Sequence, residues 1–457
     1  MHWMTAKERR SLGQARRKQL GRNQNDEFHA KARKTTALEI VQRSMRGRVA
    51  ALVKLKYELM AAAPFAYFRG AAPVMAADLS ALPSPGIVSQ ICGDAHVRNL
   101  GAYAAPDGRL VFDINDFDET IRGPFEWDLK RMAASLVLAG RAAGHKARST
   151  CDDAVEAFVV RYAEQMRQFA EMPFLEVGRF QVHRIGATKA VLDALAKAER
   201  ATPQHTLERL TTPTDGMKAT PSDSLRKGSA KNDARKDSMA ARTYKEMKPM
   251  LARATRARAA EVIAALEPYR ETLEPQRQHL LSFYRPVDVA FKVVGTGSVG
   301  LRDYCIYLEG NGTGDPLFLQ IKEETTSAYA AYLPEAHAAQ HNGRRAVDGQ
   351  RAMQIQSDPF LGWTHIGARQ YMVRQLNDHK GSIEIGDLAG ANLKAYAEVC
   401  GELLARGHAR SGDPMVISGY IGTGDGFAEA LARFGAAYAD QTEKDWDELR
   451  KWWKGKR

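Results

Sequence analysis

Helical periodicity is the first pattern in the chain. From Ala37 to Pro64, apolar side chains recur every three to four residues and predict a helix that ends at Pro64. Trp127–Arg141 and Val155–Phe169 are predicted as two further helices, and the C-terminal region has an apolar helical face formed by Phe427, Leu431, Phe434 and Tyr438. These faces predict a helical body in which they pack together.

A β-type pattern begins near Asp288. Two runs rich in apolar and β-branched residues flank a glycine-rich segment, and a third run at 369–378 follows a predicted helix at 328–357. We therefore expect an α+β fold. A small antiparallel sheet with one packed helix, residues 288–380, should lie over a helical body made from 37–200 and 381–457.

Polar chemistry is concentrated between Cys92 and Asp128. Asp94, His96 and Asn99 occupy a short polar turn, and an apolar strand at Leu110–Ile114 leads to Asp116 and Asp118. Carboxylate and amide oxygens at these positions would suit Mg²⁺. The alternative is a polar hairpin whose acids only cap turns.

The spacing resembles that of kinases. A kinase has a catalytic Asp, an Asn five residues later and then Asp-Phe-Gly; here Asp94 precedes Asn99 by five and Asp116-Phe117-Asp118 follows. With Gly-Pro-x-x-x-Asp-Leu downstream, the stretch is most similar to the aminoglycoside and choline phosphotransferase branch. This resemblance implies a base at Asp94, metal ligands at Asn99 and Asp116, and a supporting role for Asp128. His96 in the polar turn is a further catalytic candidate, and Asp118 at the strand end is a further metal ligand candidate.

A glycine motif lies between two of the predicted strands: Gly295, Gly297 and Gly300, with Ser298 among them. A strand follows it, as in the loop that covers the phosphates of ATP in kinases, whereas a dinucleotide-binding fold would have a helix there. Lys322 then ends an apolar strand, as the phosphate-binding lysine does. The alternative is a hairpin with a flexible tip and an edge-strand lysine.

Further residues are expected around this nucleotide site. Either Asp348 or Glu335 could pair with Lys322, with Asp348 favoured, and the strand that includes Gln375 would pass the adenine. Arg69 follows an aromatic cluster and could reach a phosphate or be a solvated residue of a core turn. His408, Arg410 and Asp413 form a polar segment after a predicted helix that could line the site.

The order of these motifs departs from the kinase order. Kinases have the glycine loop and lysine before the catalytic loop, whereas here Gly295 and Lys322 follow Asp94 and Asp116. Because the two halves supply different parts of one site, we predict a circularly permuted, two-lobed kinase-like fold. Lys322 and Asp116 should then face each other across one cleft.

Charge distribution changes this picture little. The net charge of +12 arises from residues 1–35 and 201–258, which contribute +7 each and leave −2 for the rest. We expect a basic N-terminal segment at 1–36, either weakly ordered or a surface helix, and a basic insertion or linker at 201–258. Within it, 201–243 is expected to be a long surface loop or a partly disordered insertion. Nucleic acid is therefore an unlikely main partner.

Cysteine spacing and hydropathy bear on the compartment. The four cysteines are far apart and predict neither a zinc site nor disulfides, and no segment is apolar enough for a signal peptide or a membrane span. The sequence predicts a cytoplasmic protein without a membrane partner.

Several sequence blocks also identify relatives. PFAYFRGAA, CGDAHVRNLG, GPFEWDLKRMAAS, VGTGSVGLRDY and LLARGHARSGD resemble the bacterial domain of unknown function 2252 family, from about residue 60 to 445. We expect an ATP- and Mg²⁺-dependent phosphotransferase whose acceptor the sequence does not identify. The alternatives are a kinase-like protein that only binds nucleotide or transfers AMP, and a nucleic-acid-associated protein.

Overall fold

The computed structural model describes residues 3–30, 33–180, 188–214, 242–293, 295–312, 314–333, 341–376 and 379–456. Its first helices are α1 (Ala6–Arg16), α2 (Ala37–Arg43), α3 (Ala50–Ala61), α4 (Pro64–Gly70) and α5 (Ala72–Ser80). The helix predicted from Ala37 to Pro64 is thus two helices. They are separated by a turn in which Gly47 has a φ of +79°, and Pro64 begins the next helix at a position where its missing N–H costs nothing.

Four short strands follow. β1 (Val88–Ile91) pairs antiparallel with β4 (Ile121–Pro124), and β2 (Leu100–Ala104) pairs with β3 (Leu110–Ile114). The predicted strand before Asp116 is therefore β3, and the β2–β3 hairpin fixes the polar loops at its two ends relative to each other.

Long helices from both ends of the chain form the helical body. α6 (Phe125–Ala142) and α7 (Arg148–Glu171) match the two predicted helices, and α8 (Phe174–Arg179) and α9 (Lys189–Arg200) follow them. They pack against the C-terminal helices α15 (Asn392–Ser411), α16 (Pro414–Ile421) and α17 (Asp425–Lys454). The predicted apolar face of α17 is buried in the main core.

The predicted sheet has six strands, all paired antiparallel. They are β7 (Leu251–Arg253), β8 (Arg285–Lys292), β9 (Asp303–Glu309), β10 (Pro316–Glu323), β11 (Gly362–Ile366) and β12 (Arg369–Gln375), in the spatial order β11-β12-β10-β9-β8-β7. The helix α14 (Asn342–Met353) packs against β11 and β12. A last short strand, β13 (Gly381–Ser382), leaves this sheet and joins β2.

More than one helix covers the six-stranded sheet, contrary to the prediction. The helices α11 (Arg256–Ala264), α12 (Leu266–Arg270) and α13 (Pro275–Leu281) bury Val262, Tyr269 and Leu281 against its outer face. Ile321 of β10 belongs to that apolar face. Because side chains alternate along a strand, Gln320 and Lys322 point the other way, towards the helical body.

The interpretation of 201–243 as a surface loop is wrong for its described ends. They form α10 (Pro203–Leu210), β5 (Thr211–Pro213) and β6 (Arg242–Tyr244), and β5 pairs with β6. Leu207, Leu210 and Tyr244 are buried against the sheet. Residues 215–241 lie outside the described residues.

The N-terminal segment is docked on the body. α1 packs against α16, and the guanidinium groups of Arg17 and Arg22 donate to backbone carbonyls of residues 419–421 at the C-terminal end of α16. Arg33 forms ion pairs with Asp78 and Asp445. Several of the basic residues that raise the net charge are therefore used in contacts within the protein.

All four cysteines are buried and unpaired. In the described part of the chain, the helices are too short or too polar to cross a bilayer.

Candidate functional site

A cleft lies between the six-stranded sheet and the helical body. Its lining includes Asp94 and His96 from the loop between β1 and β2, and Asp116 and Asp118 from the loop after β3. The loop between β8 and β9 contributes Gly295, Gly297 and Ser298. Two sets of residues that are distant in sequence thus face one cleft, as the spacing of the motifs predicts.

The polar loop before β2 is fixed from beneath by Asp128. One carboxylate oxygen of this fully buried residue accepts the N–H of Cys92 at 2.8 Å and the other accepts that of Gly93 at 2.9 Å. Gly93 has a φ of +77°, which favours glycine. Asp128 therefore supports the loop that carries Asp94, in agreement with the role that the resemblance implies.

Asn99 connects the two acidic loops. Its side-chain amide donates to the carbonyl of Asp94 at 2.9 Å and to that of Asp116 at 3.0 Å. Asn99 therefore sets the distance between the loops through its nitrogen. The carboxamide oxygen is the atom that could serve as a metal ligand.

Asp94 forms an ion pair with a buried arginine. The guanidinium of Arg131 on α6 reaches one carboxylate oxygen of Asp94 with its Nη2 at 2.5 Å, and its Nε donates to the same oxygen at 2.6 Å. Arg131 has no exposed side-chain surface and lies 4.2 Å from the centre of the Phe68 ring. The second carboxylate oxygen of Asp94 is left to face the cleft and His96.

His96 is buried beside Asp94, with its Nε2 3.7 Å from the carboxylate. Burial lowers the pKa of His96 to about 3. The imidazole is therefore neutral near pH 7.

Lys322 links the sheet to the acidic loop of the helical body. Its ammonium lies 3.2 Å from an oxygen of Asp116 and 2.5 Å from an oxygen of Asp118. Burial raises the pKa of Asp116, and the negative charge of Asp118 raises it further. Burial also acts to raise the pKa of Asp118, but the positive charge of Lys322 outweighs this effect and the pKa of Asp118 is lowered. The hydroxyl of Ser298 donates to Asp118 at 3.0 Å, so the glycine loop contacts the same carboxylate.

The sequence interpretation missed two acids in the cleft. Glu324 is buried, one of its carboxylate oxygens has no hydrogen-bond partner among the described residues, and burial raises its pKa. Its position two residues after Lys322, on the same face of the extended chain, could have revealed it. Glu119 accepts the N–H of Ala328 and also lines the cleft.

The glycine loop is attached to the helical body by groups that the motif did not indicate. The ammonium of Lys56 on α3 donates to the carbonyls of Gly297 at 2.6 Å and Thr296 at 3.1 Å, and Arg48 donates to Val299 at 2.7 Å. The only sequence signal for this contact was a charge on the apolar face of a predicted helix, because Lys56 lies at helical spacing between Leu52 and Met60.

Asp348 is not the partner of Lys322. It is exposed on α14 and pairs with Arg344 one turn earlier, while Glu335 lies outside the described residues. Gln375 lines a separate small cavity with Arg374 and Lys380 rather than the cleft.

The segment 408–413 is also placed elsewhere. His408 is a buried residue of α15 whose ring nitrogens contact Asp128 and Tyr162. It therefore holds in place the Asp128 carboxylate, which binds the loop before β2. Arg410 donates to the carbonyl of Gly178. Asp413 caps α16 by accepting the N–H of Met415 at 2.9 Å. None of the three lines the cleft.

Of the residues predicted to bind metal, two are carboxylates that lie side by side in the cleft, and they do not form a complete cage. In the ranges that the structure describes, no group of three or more His, Cys, Asp and Glu residues is arranged to hold a metal. Asp116 and Asp118 form a pair of adjacent carboxylates, which suits an ion that also binds phosphates, as Mg²⁺ commonly does.

The fold and the site together define an α+β protein in which an antiparallel sheet contributes a lysine to an acidic cleft on a helical body. The chain belongs to the DUF2252 family of uncharacterized proteins conserved in bacteria, whose model matches residues 48–452. That range includes both sets of cleft residues and extends past the 60–445 expected from the sequence blocks. The comparisons with curated proteins and with solved structures gave no match.

Proposed function

We propose that the protein is an ATP- and Mg²⁺-dependent phosphotransferase of kinase-like type that acts on a hydroxyl acceptor. The observation that carries the proposal is the contact of the buried Lys322 with Asp116 and Asp118, at 3.2 and 2.5 Å, because both carboxylates line a cleft together with Asp94. Phosphoryl transfer depends on positioning and charge neutralisation, and these residue types supply both.

The arrangement of the sheet supports the same reading. The glycine loop joins β8 to β9, and the lysine lies near the end of β10, with α14 following it in the chain. Kinases also carry a glycine-rich loop over the phosphates and a lysine on their third strand. A two-lobed kinase-like fold in circularly permuted order is therefore part of this proposal.

Asp116 and Asp118 are the residues that would hold Mg²⁺, with the oxygen of Asn99 as the further candidate ligand. When bound, the ion neutralises charge on the phosphates of ATP. Lys322 supplies the protein's own positive charge at the same place. Its contacts with both carboxylates keep the side chain directed at the acidic loop.

Asp94 is the candidate base. Its free carboxylate oxygen faces the cleft, where an acceptor hydroxyl could donate its proton, while Arg131 fixes the orientation of the carboxylate. His96 is neutral beside it and can share a hydrogen bond without adding charge.

A second candidate function is nucleotide binding without phosphoryl transfer, or transfer of AMP. The ion pair between Asp94 and Arg131 favours it, because a carboxylate held by a buried guanidinium at 2.5 Å can serve the structure of the loop instead of the chemistry. Measurement of the transferred group separates the two candidates.

The test is a thermal-shift screen of nucleotides with Mg²⁺ or with a chelator, followed by mass analysis of acceptor mixtures for phosphoryl or adenylyl adducts. We expect ATP to stabilise the protein only with Mg²⁺, and Asp116→Asn to remove that stabilisation. Asp348→Asn is the matched control, since Asp348 is exposed outside the cleft. A nucleotide shift that is insensitive to both the chelator and Asp116→Asn would contradict the proposal.

A further inference from the structure

We propose that Arg69 binds a carboxylate or phosphate group of the acceptor, so that the acceptor is an anionic alcohol. This inference rests on the proposed function, because it takes the Asp94 end of the cleft as the acceptor end. Arg69 lies on α4 and lines the cleft with Asp94 and His96.

Arg69 differs from the other arginines around the cleft because its guanidinium makes no hydrogen bond or ion pair with the described residues. Its Nε is buried without a hydrogen-bond partner among the described residues. In contrast, Arg131 is bound to Asp94, and Arg345 donates to the carbonyls of Asp118 and Thr120. Arg48 donates to the glycine loop.

A half-buried guanidinium without a partner is unfavourable in the free protein. Burial lowers the pKa of Arg69, and the nearby charge of Arg98 acts in the same direction. The adjacent acid, Asp94, cannot compensate fully because one of its oxygens is occupied by Arg131. An anionic ligand would therefore form a charge-assisted hydrogen bond with the Arg69 guanidinium. The same contact would give this charge the partner that it lacks in the free protein.

The backbone that carries Arg69 is held in place before any ligand arrives. Phe65 and Phe68 on the same helix are buried, and the carbonyl of Phe68 accepts a hydrogen bond from Arg131 at 3.1 Å. Gly70 packs directly against Met60, where an added Cβ would lie 2.7 Å from the Met60 side chain. A guanidinium on such a rigid support suits the planar, two-point recognition of a carboxylate or phosphate.

Two sources could supply the anion: the acceptor or the terminal phosphate of the donor nucleotide. Lys322 and Ser298 contact Asp118, whereas Arg69 lines the cleft with Asp94 and His96, and among the acids the charge of Asp94 acts on it more strongly than that of Asp116. The Arg69 carbonyl also lies beside the glycine loop, because a Cβ on Gly297 would be 3.4 Å from it. We assign the anion to the acceptor because the candidate base, Asp94, acts on Arg69 more strongly than the candidate metal ligand, Asp116, and the experiment distinguishes the two sources. An anion of the acceptor can bind at the same time as a nucleotide, whereas the terminal phosphate of the donor would occupy Arg69 itself and exclude a second anion.

The experiment is titration of the full chain with inorganic phosphate, alone and in the presence of a non-hydrolysable ATP analogue with Mg²⁺. We expect phosphate to bind in both conditions, and Arg69→Gln to weaken it by about tenfold or more. Arg69→Lys should retain part of the affinity. Arg46→Gln, an exposed residue of the turn before α3, is the control and should bind as the parent does.

Equal phosphate affinity in Arg69→Gln and the parent would overturn the inference, and so would exclusion of phosphate by the bound analogue, which would assign Arg69 to the donor. Failure of the analogue to bind at all would instead contradict the proposed function. In that case, loss of phosphate binding in Arg69→Gln still supports the anion site, and retained binding overturns it. Circular dichroism of each variant establishes that the fold is intact.

Discussion

The ion pair between Asp94 and Arg131 makes a candidate catalytic residue also a structural one. Asp94→Asn leaves the fully buried guanidinium of Arg131 without a counter-charge. We expect the free energy of unfolding to fall by about 2 kcal/mol, less than for a fully buried pair because Asp94 is partly exposed. Urea denaturation at pH 7 measures it, and Asp107→Asn on the surface is the control.

The double variant Asp94→Asn, Arg131→Met should recover part of that loss, since no buried charge then remains unpaired. If Asp94→Asn were as stable as the parent, the ion pair would contribute nothing to the fold. Loss of activity in the single variant could then be assigned to chemistry alone.

His96 predicts a pH dependence of stability. Its pKa in the folded protein is about 3, below the usual 6.5, so the unfolded state binds its proton more readily. The stability that His96 contributes is complete above pH 6.5 and is lost as the pH falls towards 3. We expect His96→Gln to reduce the difference in unfolding free energy between pH 7 and pH 5 by about 2 kcal/mol.

Urea titrations at the two pH values test this, with the exposed His365→Gln as the control. An unchanged difference in His96→Gln would show that His96 is accessible to protons in the folded state.

Residue spacing could identify only some of the site. Asp94, Asn99 and Asp116 are fixed relative to one another by a short hairpin, so their offsets in sequence carry their geometry. Arg131, Glu324 and Lys56 enter through packing of separate elements, which spacing does not encode. Asp348 was predicted wrongly because its helix turns that position to solvent, where Arg344 is nearer.

At the scale of elements, the glycine loop is held in place by hydrogen bonds from Lys56 on α3. Lys56→Met removes the ammonium that binds the carbonyls of Thr296 and Gly297. We expect faster amide hydrogen exchange in a peptide covering 295–301, with little change in β9, because only the local contact is lost. Exchange measured by mass spectrometry checks this.

Lys54→Met, a neighbouring helix position that lines a different surface cavity, is the matched control. Equal protection of the loop in Lys56→Met and the parent would mean that Arg48 and the contact between Val49 and Gly300 are sufficient to anchor it.

Periodicity predicted the long elements and missed the short ones. α6, α7, α17, β3 and β12 appear where their patterns indicate, because each presents an extended apolar face. The helices α11–α13 have five to nine residues each, too few to establish a helical period. α10 packs against the sheet through only two leucines, Leu207 and Leu210. Because the rest of the segment is polar, its composition predicted a loop.

At the scale of the whole molecule, the basic insertion separates into parts with different roles. β5 and β6 pair with Pro213 opposite Arg242, so a short Gly/Ser linker can replace 215–241. We expect that variant to remain folded, with a melting temperature close to that of the parent. Scanning calorimetry measures it.

Deletion of 201–243 is the contrasting variant, since it removes Leu207 and Leu210 from the sheet. It should lose several degrees of melting temperature or fail to fold. Equal stability of the two deletions would show that α10 packs without stabilising the protein.

The relation between the sheet and the helical body could be inferred only by joining two separate motifs. The acidic motif and the glycine motif could each have been an ordinary hairpin. Neither motif specified how far it lies from the other in the folded protein. The contact of Lys322 with Asp116 and Asp118 is a property of the assembled molecule. The order of the motifs along the chain suggested the convergence, and tertiary packing determines its geometry.

The packing of α15 and α17 on α6 and α7 has a consequence for how the chain reaches its native state. During synthesis, the apolar faces of α6 and α7 emerge long before residues 392–454, and the whole six-stranded sheet is made in between. Such long-range pairing slows folding and leaves apolar surface uncovered in the nascent chain. Almost the entire protein must therefore be synthesised before its main core can form. Until then, α6 and α7 must be kept from aggregating if the chain is to reach the native state.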